Sequence, residues 1–273
     1  MQRISSRQPL LLGIGVTLTF MFGLLFAVLV LPDSVVPAGK VAIRMLVPVA
    51  LLTILGLWRT AGFTRRPTWS NLWPFLPLLL IPLVPAIFGT GVTITDPAEI
   101  ALLVLMNFTV GFGEEATFRG VVLRVLAPRG LMRAAVLSSV LFGAMHLVNL
   151  AVGEHPVNVG FQVIYTVELG FAYASAALVT GAIWPLVLIH FAQDFANAIQ
   201  TSNTGSGSPG GVDLASGLIN VALWLPFVVY GYWLLRHHLR QSGSEDERPG
   251  PRVPAMSAED VTLGRGRAWR SAG

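Results

Sequence analysis

The chain is a succession of apolar runs, each close to the length of a membrane-crossing helix. They lie at about 10–31, 41–58, 72–92, 100–127, 131–152, 158–179, 182–200 and 214–236. A hydrocarbon core about 30 Å thick needs about 20 apolar residues as helix. Inside it every backbone N–H and C=O must find a partner within the protein, which leaves helices or closed barrels. Continuous rather than alternating apolar runs select helices. The expected fold is therefore all-α: a polytopic transmembrane bundle of about eight spans. Only 12% of the 273 residues are charged, against about 25% in a soluble domain. The first run is longer than the apolar core of a signal peptide and no A-x-A site follows it, so it reads as a retained span.

Charge placement sets the expected orientation. Arg3 and Arg7 precede the first run, and Arg59, Arg65 and Arg66 follow the second. Arg124, Arg129 and Arg133 surround the fourth-to-fifth turn, and Arg236, His237, His238 and Arg240 follow the last run. The alternate loops hold Asp33 with Lys40, Asp96 with Glu99, and Glu154. The positive-inside bias then leaves both termini cytoplasmic. With the basic residues so distributed, the net charge of +4 needs no nucleic-acid partner. The absence of cysteine excludes disulfides, thiolate metal ligands, a cysteine nucleophile and cysteine lipidation of this chain.

Three segments follow from these patterns: N-terminal helices over 1–99, a core over 100–236 that carries the polar residues, and a tail over 237–273. The tail is rich in Ser, Pro, Gly and charge and is expected to be disordered. Gly205–Gly211 reads as a flexible loop outside the cell. Pro74, Pro77, Pro82 and Pro85 predict kinks in the third run.

Against this apolar background, GFGEEATFRG puts Glu114, Glu115 and Arg119 within the fourth run. A charge at the bilayer centre costs roughly 2.5–3.5 kcal/mol on insertion scales, so these groups must pair and face the protein interior. Glu115 and Arg119 are spaced i, i+4 and can pair on one face. Glu114 points about 100° away, so the two glutamates are expected to need different partners. Phe142 and His146 share a face of the fifth run. His190, Asp194 and Asn197 form one polar stripe on the seventh.

Two carboxylates, two imidazoles and a guanidinium in a low-dielectric bundle suit hydrolysis. A carboxylate and a histidine can polarise a water, and a second histidine with a neighbour can stabilise an oxyanion. Glu114, free of a direct partner, is the candidate proton acceptor, with Glu115 the partner of Arg119. The same residues leave other readings open. His146, His190 and a glutamate could form a His₂Glu zinc site, although no H-E-x-x-H is present. A buried polar network could serve packing alone. A proton-coupled transporter is a third class, without an evident inverted repeat to support it. Glu168 is expected to serve helix packing or to face a pore, and Asn107, on the face of Glu114, to serve packing or to support the site. Arg44, in the second run, is expected to snorkel or to pair with an acid.

The order EExxxR, FxxxH and HxxxD, standing as Glu114 to Arg119, Phe142 to His146 and His190 to Asp194, resembles the CPBP family. These are intramembrane glutamic proteases, also called the Abi or type II CAAX prenyl endopeptidase family. Gly181, Trp184 and Pro185, leading into His190, also look like its last motif. The resemblance spans about 100–200. It implies an endopeptidase needing no metal or other cofactor, acting in a cell membrane, bacterial by expectation, on a membrane-embedded or lipidated peptide. It implies that Glu114 and His146 activate water, and that His190 and Asp194 form the oxyanion site. Glu115, Arg119, Phe142 and Asn197 would support them. Some members are associated with bacteriocin self-immunity or act as scaffolds, a non-enzymatic alternative. Prenyl endopeptidases usually carry asparagine where this chain has Asp194. An ionised aspartate cannot donate to an oxyanion, so it must be protonated, orient His190, or leave donation to Asn197.

Overall fold

A computed structural model of the chain describes residues 8–65, 68, 71–88, 91, 92, 94–200 and 211–246. Described secondary structure is helical throughout. The main helices are α1 (Pro9–Val30), α2 (Val36–Leu55), α3 (Leu80–Phe88), α4 (Pro97–Glu115), α5 (Leu131–Met145), α6 (Pro156–Thr180), α7 (Trp184–Ala198) and α8 (Leu214–Asp246). The all-α transmembrane bundle is as expected.

The span count differs. Among the described residues six helical segments are long and apolar enough to cross a membrane, against about eight expected. The third expected span opens as two 3₁₀ turns, Trp73–Phe75 and Pro77–Leu79, before α3 forms. Each proline there lacks an N–H and crowds the preceding turn, so the i→i−4 ladder cannot run through. The seventh, α7, has 15 residues, rising about 22 Å, and packs between α4 and α3.

The end of α8 also lies elsewhere. Residues 237–246, expected as tail, continue the helix; as far as Gln241 the stretch WLLRHHLRQ holds no breaker. Residues 247–273 of the expected tail, most of the Gly205–Gly211 loop, and Arg3, Arg7 and Arg66 fall outside the described residues.

Local chemistry sets the helix ends. Asp96 caps α4, accepting from Ala98 N at 2.7 Å and Glu99 N at 3.1 Å, with Pro97 in the first turn, where its missing N–H costs nothing. Gly181 closes α6 at φ 64° and returns the chain within three residues to α7. Two arginines meet this end of α6: Arg65 Nη1 donates to Thr180 O at 3.0 Å and Arg124 Nη2 to Ala177 O at 2.9 Å. Cations suit the negative end of the helix dipole. These contacts gather the turns after α2, α4 and α6 at one end of the bundle. At the other end, Ile94 N donates to Ile199 O at 3.3 Å, and Val212 N to Asn158 Oδ1 at 2.7 Å.

α4 is the shared wall. α2 and α7 both pack on it, and glycines let them come close. A Cβ on Gly113 would lie 2.7 Å from Arg44 O of α2, and one on Gly111 would lie 2.8 Å from Val187 O of α7. Beyond Glu115 the helix widens into a π turn over Ala116–Val122, fully buried. Ser138 of α5 donates to the Phe118 carbonyl of that turn at 3.0 Å, satisfying an oxygen in the widened stretch.

Gly113→Val should therefore force α2 away from α4 and cost about 1–3 kcal/mol. Gly160→Ala, on α6 with nothing within 4 Å of the added carbon, should be neutral or stabilising by up to about 1 kcal/mol. Thermal unfolding of the two variants in one detergent checks the contrast.

Candidate active site

The i, i+4 pair forms as the spacing predicts. Arg119 Nη1 lies 3.0 Å from Glu115 Oε1, with the two side chains 1% and 0% exposed. The N–H does not point along this line, so the contact is an ion pair more than an aligned hydrogen bond. The guanidinium is held otherwise by its faces. It lies 4.3 Å from the Phe142 ring centroid and 5.4 Å from that of Tyr173, with Nη2 3.4 Å from Gly170 O. Such cation–π contacts are worth about 2 kcal/mol or more when desolvated. The π turn holds Arg119 in this slot.

Glu115 has a second partner. His190 Nδ1 lies 2.9 Å from Glu115 Oε1. The other ring nitrogen, Nε2, lies 3.8 Å from Glu114 Oε2 and 3.5 Å from Asp194 Oδ2. The two glutamates thus meet one imidazole from its two nitrogens, where separate partners were expected. The 100° offset along α4 is what brings one carboxylate to each nitrogen. The His190 ring is set by edge-on contact with Phe142 and Tyr173, both at 6.2 Å between centroids.

His146 ends α5. Its Nδ1 lies 3.1 Å from Phe142 O one turn back. A carbonyl only accepts, so Nδ1 carries the proton in this contact and Nε2 is left with a lone pair. Phe142 shares the face of His146, as the spacing predicts, at 5.3 Å between ring centroids. The phenyl ring thus touches His146, His190 and Arg119 at once.

Glu114, His146, His190, Asp194 and Asn197 converge on one cavity of about 290 Å³. Glu115 and Arg119 lie behind its wall, and Phe142 lines it. Asp194 is 28% exposed on its side chain, and Asn197 sits at the exposed rim. Among the described residues, no hydrogen bond joins Glu114 to His146, and both line the cavity. Nor do three His, Cys, Asp or Glu side chains converge among them as a metal site.

Several lining residues escaped sequence reasoning. Asn149 donates to Gln162 Oε1 at 2.8 Å and ties the segment after α5 to α6 at the cavity mouth. Tyr165 and Tyr173 line it from α6. Neither tyrosine belongs to a motif, and a tyrosine within an apolar run carries no signal of its own. Arg44 also lines the cavity; its signal was a cation midway along an apolar run. Asn107 donates to Leu103 O of its own helix at 2.8 Å. Glu168 faces an apolar groove between α5, α6 and α8, away from the cavity.

Removing one side of the buried pair strands the other. Arg119→Met should cost about 3–5 kcal/mol. Glu115→Leu with Arg119→Met should recover part of that loss, since neither charge is then left alone. Unfolding midpoints of the single and double variants measure the difference.

Residues 96–196 match the family described as Type II CAAX prenyl endopeptidase Rce1-like. The matched stretch starts at the cap of α4 and ends within α7, so it contains four walls of the cavity and not α2. No curated protein matches the chain.

Proposed function

Because residues 96–196 match the family described as Type II CAAX prenyl endopeptidase Rce1-like, we propose that the chain belongs to that family of membrane proteases and is an intramembrane glutamic endopeptidase. The carrying observation is the convergence of Glu114, His146, His190 and Asp194 on one cavity between membrane helices.

A water held between Glu114 and His146 Nε2 is the nucleophile. Glu114 takes a proton from it while His146 accepts a hydrogen bond and aligns the lone pair. The oxygen attacks the scissile carbonyl carbon and the C=O electrons move onto the carbonyl oxygen. His190, with Nδ1 committed to Glu115, offers Nε2–H to that oxyanion. Asp194, beside the same nitrogen, orients the ring and balances its charge. On collapse the C–N bond breaks, and Glu114 returns its proton to the leaving amine. Asn197 at the rim can add a donor.

The substrate of this reading is a membrane-embedded or lipidated peptide, cut within or near the bilayer. In this reading the catalytic core lies in 100–236, braced by the helices of 1–99. Both termini are cytoplasmic in this reading. It is supported by Arg65 and Arg124, from separate turns, meeting the same end of α6.

Glu114→Ala and His146→Ala should each lower cleavage of a fluorogenic farnesylated CAAX peptide by about 10²–10⁴-fold. EDTA should leave the wild type unchanged. Activity lost to EDTA and restored by zinc would move the assignment to a zinc site on the two histidines.

A further inference from the structure

The cavity has a cation for which neither the matched motifs nor the proposed mechanism has a use. Arg44 lies on α2, outside residues 96–196. It stands midway along its helix, the ninth of 20 residues. Gly113 brings its backbone against α4 directly beside Glu114. Arg44 lines the cavity with Glu114 and Asp194. Among the described residues no carboxylate comes within ion-pair distance of it, and its buried Nε has no hydrogen-bond partner.

Charge counting gives the residue a task. Arg119 neutralises Glu115 behind the wall. That leaves Glu114 and Asp194 facing one low-dielectric space, with His190 between them. Two carboxylates at one site cannot both stay ionised unless a cation compensates them. His190 can balance one of them. Asparagine at 194 would add no charge and would need no second cation. The acid at 194 creates the need, and Arg44 is the side chain in place to meet it.

We propose that Arg44 is a positioning residue, the counter-ion that lets Glu114 and Asp194 work ionised in the same cavity. It is thereby coupled to the acid at position 194. This rests on the reading of Glu114 and Asp194 as catalytic groups, but its test reads their charge directly.

The test is a cycle of Arg44→Gln and Asp194→Asn in the full chain, in nanodiscs at neutral pH, with Arg44→Lys as the conservative variant. Infrared difference spectra should show a protonated-carboxyl C=O band that is absent in wild type and R44K, present in R44Q, and absent again in R44Q/D194N. With the farnesylated CAAX peptide as probe, R44Q should lower kcat at least tenfold when residue 194 is Asp and less than threefold when it is Asn. R44K should restore most of the loss. If R44Q does not fold, R44Q/D194N should, because removing the acid removes the need for the cation. An R44Q spectrum identical to wild type, equal losses in both backgrounds, or a double variant as unfolded as the single would each overturn the proposal. No cleavage by any form, the wild type included, with the infrared pattern intact, would overturn the catalytic reading and leave the counter-ion role standing.

Discussion

The buried pair of Glu115 and Arg119 is the contact on which the rest depends. An arginine that is 1% exposed inside a membrane bundle is tolerable only when its charge is met. Here one carboxylate oxygen and two aromatic faces meet it. The same oxygen holds His190 Nδ1. One atom, Glu115 Oε1, therefore joins the turn after α4 to α7 and selects which nitrogen of His190 faces the cavity. A pair of this kind adds little net stability against an apolar substitute. Its contribution is a fixed geometry for a third group.

That geometry needs the helices to be close. Gly111 and Gly113 on α4 admit the backbones of α7 and α2, and the π turn sets Arg119 beneath Phe142. Small residues at helix contacts are the usual device where lipid offers no hydrophobic drive for association. The result is a polar cavity backed by the buried side chains of Glu115, Arg119 and Phe142. Glu114, His146, His190 and Asp194 line it, and in the proposed reading they are its working face. The acid at 194 and the cation at 44 then read as one adjustment, made by residues on opposite sides of the matched family boundary.

What could be read from the chain alone was what depends on helical periodicity within one run. The Glu115–Arg119 pair, the shared face of Phe142 and His146, and the stripe from His190 to Asp194 are such features. What could not be read depends on the approach of separate helices. The double contact of His190 with both glutamates is one case, because the rotation of α7 against α4 decides it. The place of Arg44 is another, because only the packing at Gly113 turns that side chain to the cavity. The count of spans failed at two places: at the prolines of 74–85, where hydropathy is high but the backbone ladder cannot continue, and at α7, whose helix has only 15 residues. The end of α8 was missed because charge and histidine after 236 suggested a tail, while helix formers such as Leu239, Arg240 and Gln241 extend the helix, which runs on to Asp246.

The central claim is that Glu114 and His146 hold the attacking water between them. A neutron or high-resolution electron map of the resting protein in lipid tests it most directly. The account predicts a water within about 2.6–3.2 Å of both a Glu114 carboxylate oxygen and His146 Nε2, with the imidazole proton on Nδ1 toward Phe142 O. A proton on His146 Nε2, or a metal ion in the place of that water, would contradict it.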